Sequence, residues 1–330
     1  MNNFIFLYTF YRNNIKIYGI IFISMAPLRI KYIGFDAGNP DFKKGDIVTR
    51  FFKEDDQVVE NIHDTNVLIV GNFITPPEMQ QIMGFTKCIV LYVAEPILKF
   101  QMCYYSGELY KRGQYHYIFG CVDNKPFSRV KFPLYYTIFN HTPDIFSKTN
   151  DYVKSCDPTK KRFATLISRH DSGNIREPIY KFLVKIGHIT CPGPLFNNCS
   201  NEEVNRIGNP EYIKQFIFNI CPENFGASHS GYITEKLMNA CLGGAIPIYY
   251  GDLDKLDERV FNKNRILFVD PKNFMGLYNA VKELLSDSTK LVEFYKQDVF
   301  MPGAYEVMAV EMHAAMMGMM NEIRAKLVRP

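Results

Sequence analysis

The sequence predicts two α/β domains in series, each built on a largely parallel sheet. Three observations carry this. Uninterrupted apolar runs such as Val67-Leu68-Ile69-Val70 and Cys88-Ile89-Val90-Leu91-Tyr92-Val93 suit strands covered on both faces. Helix-like segments such as Pro77 to Phe85 alternate with those runs, and the same alternation restarts after a polar stretch near residues 140–161. The 330 residues are enough for two domains of ordinary size. Two such domains in series make the cleft between them the default place for a ligand.

Composition excludes several classes. At 47% apolar and 22% charged, the chain is neither wholly disordered, collagen-like nor a polytopic membrane protein. Its 38 basic and 34 acidic side chains leave a net charge of +4 with no clustered patch, so nucleic acid is not an expected partner. Abundant Asn, Ile, Lys, Tyr and Phe with no Trp fit AT-biased codon usage of a microbial or viral genome. The eight cysteines contain no CxxC pair and several sit in apolar runs, which reads as buried free thiols. The seven histidines supply no HExxH or HxH, so no metal site built on Cys or His is expected. Two sequons, Asn140-His141-Thr142 and Asn198-Cys199-Ser200, matter only in a secretory lumen.

In chain order, residues 1–28 form an apolar extension of two readings. The uncharged run from Ile17 to Leu28 is too short to span a bilayer. Basic residues before it and the small residues Ser24-Met25-Ala26 near its end fit a signal or anchor, whereas Met25 as the start lets Leu28 to Gly34 open the protein as a first strand. Residues 29–150 are expected to form the first Rossmann-like domain, with the linker in the polar stretch 140–161. Residues 151–303 form the second, through a strand at Phe163–Ile167, a helix from Ile175 to Ile186, the run His188–Cys191 and a strand at Phe216–Ile220. In residues 304–330, Met308, Met312, Met316, Met319, Ile323 and Leu327 recur at helical steps, which reads as a core-packed terminal helix docked across the domains.

The segment 221–252 carries the most chemistry. A strand ends at Glu223-Asn224, a small-residue loop follows, Thr234 stands where a helix N-cap is expected, and Gly243-Gly244 stops the helix. Ile233, Leu237, Ala240 and Cys241 repeat at helical spacing, leaving Glu235 and Lys236 in the exposed first turn. A cation there opposes the helix dipole, so Lys236 is misplaced for stability but well placed to join free N–H groups on a phosphate. A solvated surface lysine is the plainer alternative.

Glu223-Asn224, Tyr232-Ile233-Thr234-Glu235-Lys236, Asn239-Ala240 and Gly244 to Gly251 closely resemble the signature of the α1,3-fucosyltransferases, the GDP-fucose-dependent family 10 glycosyltransferases. Weaker similarity runs from Phe163 through Ser168 and Arg176 to Phe268; the first half matches mainly in pattern and at one acidic residue. The resemblance implies a GT-B architecture, two Rossmann-like domains facing each other across a cleft, with the nucleotide sugar held by the second and the acceptor approached by the first. It implies an inverting transfer of fucose from GDP-β-L-fucose to a hydroxyl of an oligosaccharide or glycoconjugate, forming an α1,3 linkage. By motif position Lys236 and Arg176 resemble the phosphate clamps, Tyr232 a hydroxyl donor, Glu235 the ribose-binding carboxylate and Asn224 a pyrophosphate-side or fucose contact, with Glu223, Gly231 and Thr234 as further loop contacts. Arg176 also fits an ordinary helix start, Asn174-Ile175-Arg176-Glu177.

The general base is expected from the first domain. Glu95 follows the strand Leu91-Tyr92-Val93, where the family has its catalytic Glu, and a carboxylate at a strand's C-terminal end faces the ligand edge of an open α/β sheet. The alternative is a loop glutamate that caps the next helix. Asp252-Leu253-Asp254 reads as a turn and helix cap, not as a metal-holding DxD. A divalent ion, Mn or Mg, is compatible with this chemistry but required by no motif. The span Gly226–Gly231 reads as a loop closing over GDP. Two rival functions stay open: a GT-B enzyme using another GDP-sugar, and a catalytically silent nucleotide- or glycan-binding protein. The expected location is the cytoplasm, a host's if the source is viral, or the secretory route if residues 1–28 act as a signal or anchor.

Overall fold

The computed structural model describes residues 4–12, 15–23, 26–35, 46–99, 101–122, 128–138, 142–226 and 231–328. The chain divides into two compact units, one of residues 1–131 with 313–330, the other Phe132–Met312. Strands β1 (Phe4–Arg12) and β2 (Ile15–Ile23) form an antiparallel hairpin with Phe4 opposite Ile23. The apolar run weighed as a signal or anchor thus overlaps strand β2 from residue 17 to 23. Among the described residues no helix is long and apolar enough to cross a membrane.

The first unit carries a six-stranded parallel sheet of β3 (Arg29–Ile33), β4 (Gln57–Val58), β5 (Val67–Val70), β6 (Cys88–Val93), β7 (Tyr117–Gly120) and β8 (Arg129–Lys131), in the order β4-β3-β5-β6-β7-β8. Every residue of β5, β6 and β7 is buried, the pattern that their unbroken apolar runs require. Short helices α1 (Asp46–Thr49), α2 (Pro76–Met83) and α3 (Tyr104–Arg112) fall between strands.

The second unit contains α4 (Ile145–Ser155), β9 (Arg162–Thr165), α5 (Arg176–Leu183), β10 (Ile189–Thr190), α6 (Glu202–Ile207), α7 (Asn209–Ile213), β11 (Phe216–Ile220), α8 (Glu235–Leu242), β12 (Ile246–Tyr249), β13 (Leu267–Phe268), α9 (Phe274–Ser286) and α10 (Ser288–Tyr295). Its sheet is again parallel, in the order β10-β9-β11-β12-β13. The chain leaves β9 for the edge strand β10 and returns on the other side at β11, so the strand order reverses between β9 and β11. Ligands of open α/β sheets bind beyond the strand ends at such a switch point.

The expected linker is a correction. Residues 145–155 are helical, with Phe146, Thr149 and Val153 buried, and the division between units falls at Lys131/Phe132. The polar residues of this stretch belong to an amphipathic helix, whose solvent face has loop-like composition. The methionine stripe is core as expected at Met308, Met312, Met316, Met319 and Ile323, which are buried, while Leu327 at its end is half-buried. Helix α11 (Met312–Lys326) carries Arg324, whose buried guanidinium pairs with the Asp56 carboxylate of the same unit.

Candidate functional site

Two strand-to-helix turns of the second unit meet at the switch point. After β9, Asp171 accepts hydrogen bonds from the backbone N–H groups of Ile175, Arg176 and Glu177 at 3.0, 3.0 and 2.8 Å, which caps the start of α5. The turn lies tight against the loop after β11: a Cβ on Gly173 would stand 2.1 Å from the Asn224 carbonyl oxygen. Only glycine permits that approach.

Arg176 is 1% exposed. Its guanidinium donates from Nη1 to the His170 carbonyl at 3.0 Å, and from Nη2 to the Pro222 carbonyl at 3.0 Å and Asn224 Oδ1 at 2.9 Å. The Asp171 carboxylate is 3.9 Å from Nη1. Burial lowers the Arg176 pKa, opposed by Asp171 and Glu223. Because Asn224 Oδ1 accepts from the guanidinium, the donor end of that amide points away from Arg176. The arginine is a buried post that orients Asn224.

After β11, Glu223 is fully buried and gathers four donors. Its Oε1 accepts from the Thr234 N–H at 2.7 Å and the Tyr249 hydroxyl at 3.4 Å, while Oε2 accepts from the Thr234 hydroxyl at 2.7 Å and Lys236 Nζ at 3.1 Å. Lys236 Nζ also donates to Thr234 Oγ1 at 2.9 Å and lies 3.8 Å from Glu235. Thr234 is the N-cap of α8, as the sequence predicts, accepting from the Lys236 N–H at 3.4 Å. Lys236 is therefore no solvated lysine: its side chain is 24% exposed and two of its three N–H donors are committed. Burial opposes its charge, but the Glu223 and Glu235 carboxylates outweigh burial and raise its pKa. Burial raises the Glu223 pKa, against the pull of Lys236.

A cavity of about 490 Å³ opens at these turns, lined by Arg176, Asn224, Glu235 and Lys236 together with residues of the β9, β10 and β11 loops. Tyr232 is 1% exposed and is not among the described lining residues. Gly231 has φ +69°, a conformation suited to glycine, and its N–H donates to Asp252 Oδ2 at 3.2 Å. Asp252 stands in a turn, as expected, before a short helical turn at Leu253–Lys255, but its side chain makes no cap hydrogen bond to that turn. Residues 227–230 of the expected closing loop lie outside the described residues. Glu95 stands in the first unit, two residues beyond the end of β6 and half-buried. Among the described residues no group of three or more His, Cys, Asp or Glu could hold a metal.

Sequence reasoning missed Asp171, although an Asp ahead of a helix start is a capping signal. It also missed an asparagine wall: Asn201, Asn205 and Asn209 line the cavity with Asn239, which the motif contained without a role. The first three recur at steps of four in the sequence, but the chain breaks at Gly208: Asn201 stands at the N-cap of α6, Asn205 lies within it and Asn209 opens α7.

Residues 157–318 match the model of glycosyltransferase family 10 (fucosyltransferase), C-terminal part. The α-(1,3)-fucosyltransferase FucT of Helicobacter pylori is 31% identical over 143 residues, 43% of this chain and 28% of that protein. The match therefore spans less than a third of that relative's length. The crystal structure of an α1,3-fucosyltransferase superposes with a TM-score of 0.64 at 18% identity, over 89% of this chain and 91% of that one. The crystal structure of an α1,3-fucosyltransferase with GDP-fucose gives 0.62 at 18% identity over the same shares. The chain thus has the GT-B fold of two Rossmann-like domains.

Proposed function

We propose that this chain, whose residues 157–318 match the family 10 glycosyltransferase model, moves fucose from GDP-β-L-fucose to a hydroxyl of a glycan acceptor, forming an α1,3 linkage with inversion. The observation that carries the reading is Lys236, held by Glu223 and Thr234 at the N-terminus of α8 on the wall of the switch-point cavity. A helix N-terminus with a fixed ammonium suits a diphosphate.

In the reaction the acceptor hydroxyl attacks C1 of fucose, the bond from C1 to the β-phosphate oxygen breaks on the opposite face, and negative charge grows on GDP. Lys236 and the donor end of Asn224 meet that charge; because it is largest in the transition state, they lower the barrier. Arg176 adds its positive charge from behind Asn224. Glu235, on the cavity wall, takes the ribose hydroxyls. Glu95, at the C-terminal end of β6, accepts the proton of the attacking hydroxyl.

Calorimetric titration of the full chain with GDP, GDP-fucose, GDP-mannose and UDP-galactose tests the donor. Selective GDP-fucose binding, weakened about tenfold or more by Lys236→Ala, is the expected outcome, as for a lost charge-assisted contact. Preference for GDP-mannose would shift the reading to another GDP-sugar, and no guanine-nucleotide binding would overturn it.

A further inference from the structure

The cavity has two chemically different ends. Arg176, Glu235 and Lys236 gather where the chain enters α5 and α8. Helix α8 then runs away from that end until Gly243, where a methyl would meet Ile213 of α7 at 2.6 Å and the Pro210 carbonyl at 2.8 Å. Helices α6 and α7 contribute uncharged lining, Asn205 and Asn209 with Val204 and Ile213. Asn239 stands between the two ends, one helical turn beyond Glu235, about 6 Å along the axis at 1.5 Å per residue.

Asn239 is 9% exposed and lines the cavity. Its side-chain amide makes no hydrogen bond with the described residues, whereas the other deeply buried polar side chains on the lining are bonded: Arg176 as above, and Asn219 to the Thr165 carbonyl at 3.4 Å. A buried amide is rarely left without partners. An amide offers a donor and an acceptor side by side, the pattern that pairs with the edge of a nucleobase.

We infer that Asn239 reads the base of the bound nucleoside diphosphate, a purine whose edge offers an adjacent acceptor and donor. The inference rests on the donor reading above: with the diphosphate at Lys236 and the ribose at Glu235, the next turn of α8 meets the base. Asn205 and Asn209 line the same cavity from α6 and α7, and Val204 supplies apolar surface there. An amide carries no charge, so it adds selection among bases without adding affinity for phosphate.

The test is calorimetry of the full chain with GDP, UDP and inorganic pyrophosphate, for the parent, Asn239→Leu and Asn239→Ser. Serine leaves the surrounding helix uncrowded should leucine disturb it. The expected result is GDP binding weakened about tenfold or more in both variants, a loss of the GDP-over-UDP preference, and pyrophosphate affinity within about twofold of the parent. Unchanged GDP affinity in the variants would overturn the role of Asn239 while leaving the donor reading intact. Equal weakening of GDP and pyrophosphate would overturn it too, as general damage to the site. Failure of the parent to bind GDP would remove the donor reading, and this inference with it.

Discussion

At the scale of single residues, Glu223 decides what Lys236 can do. Removing the carboxylate in Glu223→Ala leaves the Thr234 hydroxyl and N–H without this acceptor and takes from the Lys236 ammonium its buried counter-charge. Deleting one partner of a buried pair costs about 3–5 kcal/mol, so chemical denaturation of this variant is expected to show a loss of that order. Glu223→Gln isolates the charge. The Glu223 pKa is raised above its ordinary 4.5, chiefly by burial, so the folded chain binds this proton more readily than the unfolded one. The stability it lends is full below about 4.5 and is lost as pH rises through the raised value. The parent's stability relative to Glu223→Gln is therefore expected to fall as pH rises from 4.5, and denaturation curves with a pH-independent difference would contradict this. Thr234 and Lys236 were legible from helical spacing, and Glu223 and Glu235 only as positions of the motif the chain resembles, but the sequence could not show that Glu223 is the buried acceptor that organises the others. That depends on the β11 and α8 turns meeting, a tertiary event.

At the scale of elements, the turn from β9 into α5 aims Arg176. Asp171 satisfies three N–H groups at the start of α5, and replacing a capping side chain by alanine typically costs about 1–2 kcal/mol. Asp171→Ala is expected to lower stability by that amount in denaturant titrations and to weaken GDP binding, because Asn224 is oriented through Arg176. Gly173→Ala drives a methyl against the Asn224 carbonyl and is expected to weaken GDP more than a surface Gly→Ala would. Unaltered GDP affinity in both variants would detach this turn from the site. The elements most legible in the sequence were those with strong local signals: β11 covers the apolar run Phe216–Ile220, although it stops short of the expected end at Glu223-Asn224, and α8 begins after Thr234 and is capped by Gly243. Less legible was α4, because a helix with a narrow buried stripe of Phe146, Thr149 and Val153 has the composition of a loop. The asparagine wall of α6 and α7 was periodic but carried no motif, so its meaning emerged only with the cavity.

At the scale of the whole molecule, the two-domain α/β reading holds because it rests on what burial demands of each strand. Runs such as Val67–Val70 and Cys88–Val93 are buried on both faces, and the parallel order follows. The position of the division between units was not legible, since polar composition does not distinguish a linker from a solvent-facing helix. The thiols give a global test of packing. Cys88, Cys103, Cys191 and Cys241 are pushed up to about 12, mainly by burial, and Cys121 and Cys221 are buried as well. Thiol reagents attack the thiolate, so at pH 8 only the two less buried thiols, Cys156 and Cys199, are expected to react promptly in the native chain, and all eight in denaturant.

The central claim is fucose transfer with Glu95 as base, and its most direct measurement is label transfer from radiolabelled GDP-fucose to a panel of oligosaccharides by the parent and Glu95→Gln. The account predicts labelled product from the parent, and product formation at least about 10²-fold slower in the variant with GDP-fucose affinity unchanged. No transfer by the parent to any acceptor, or equal rates in the two proteins, would contradict it.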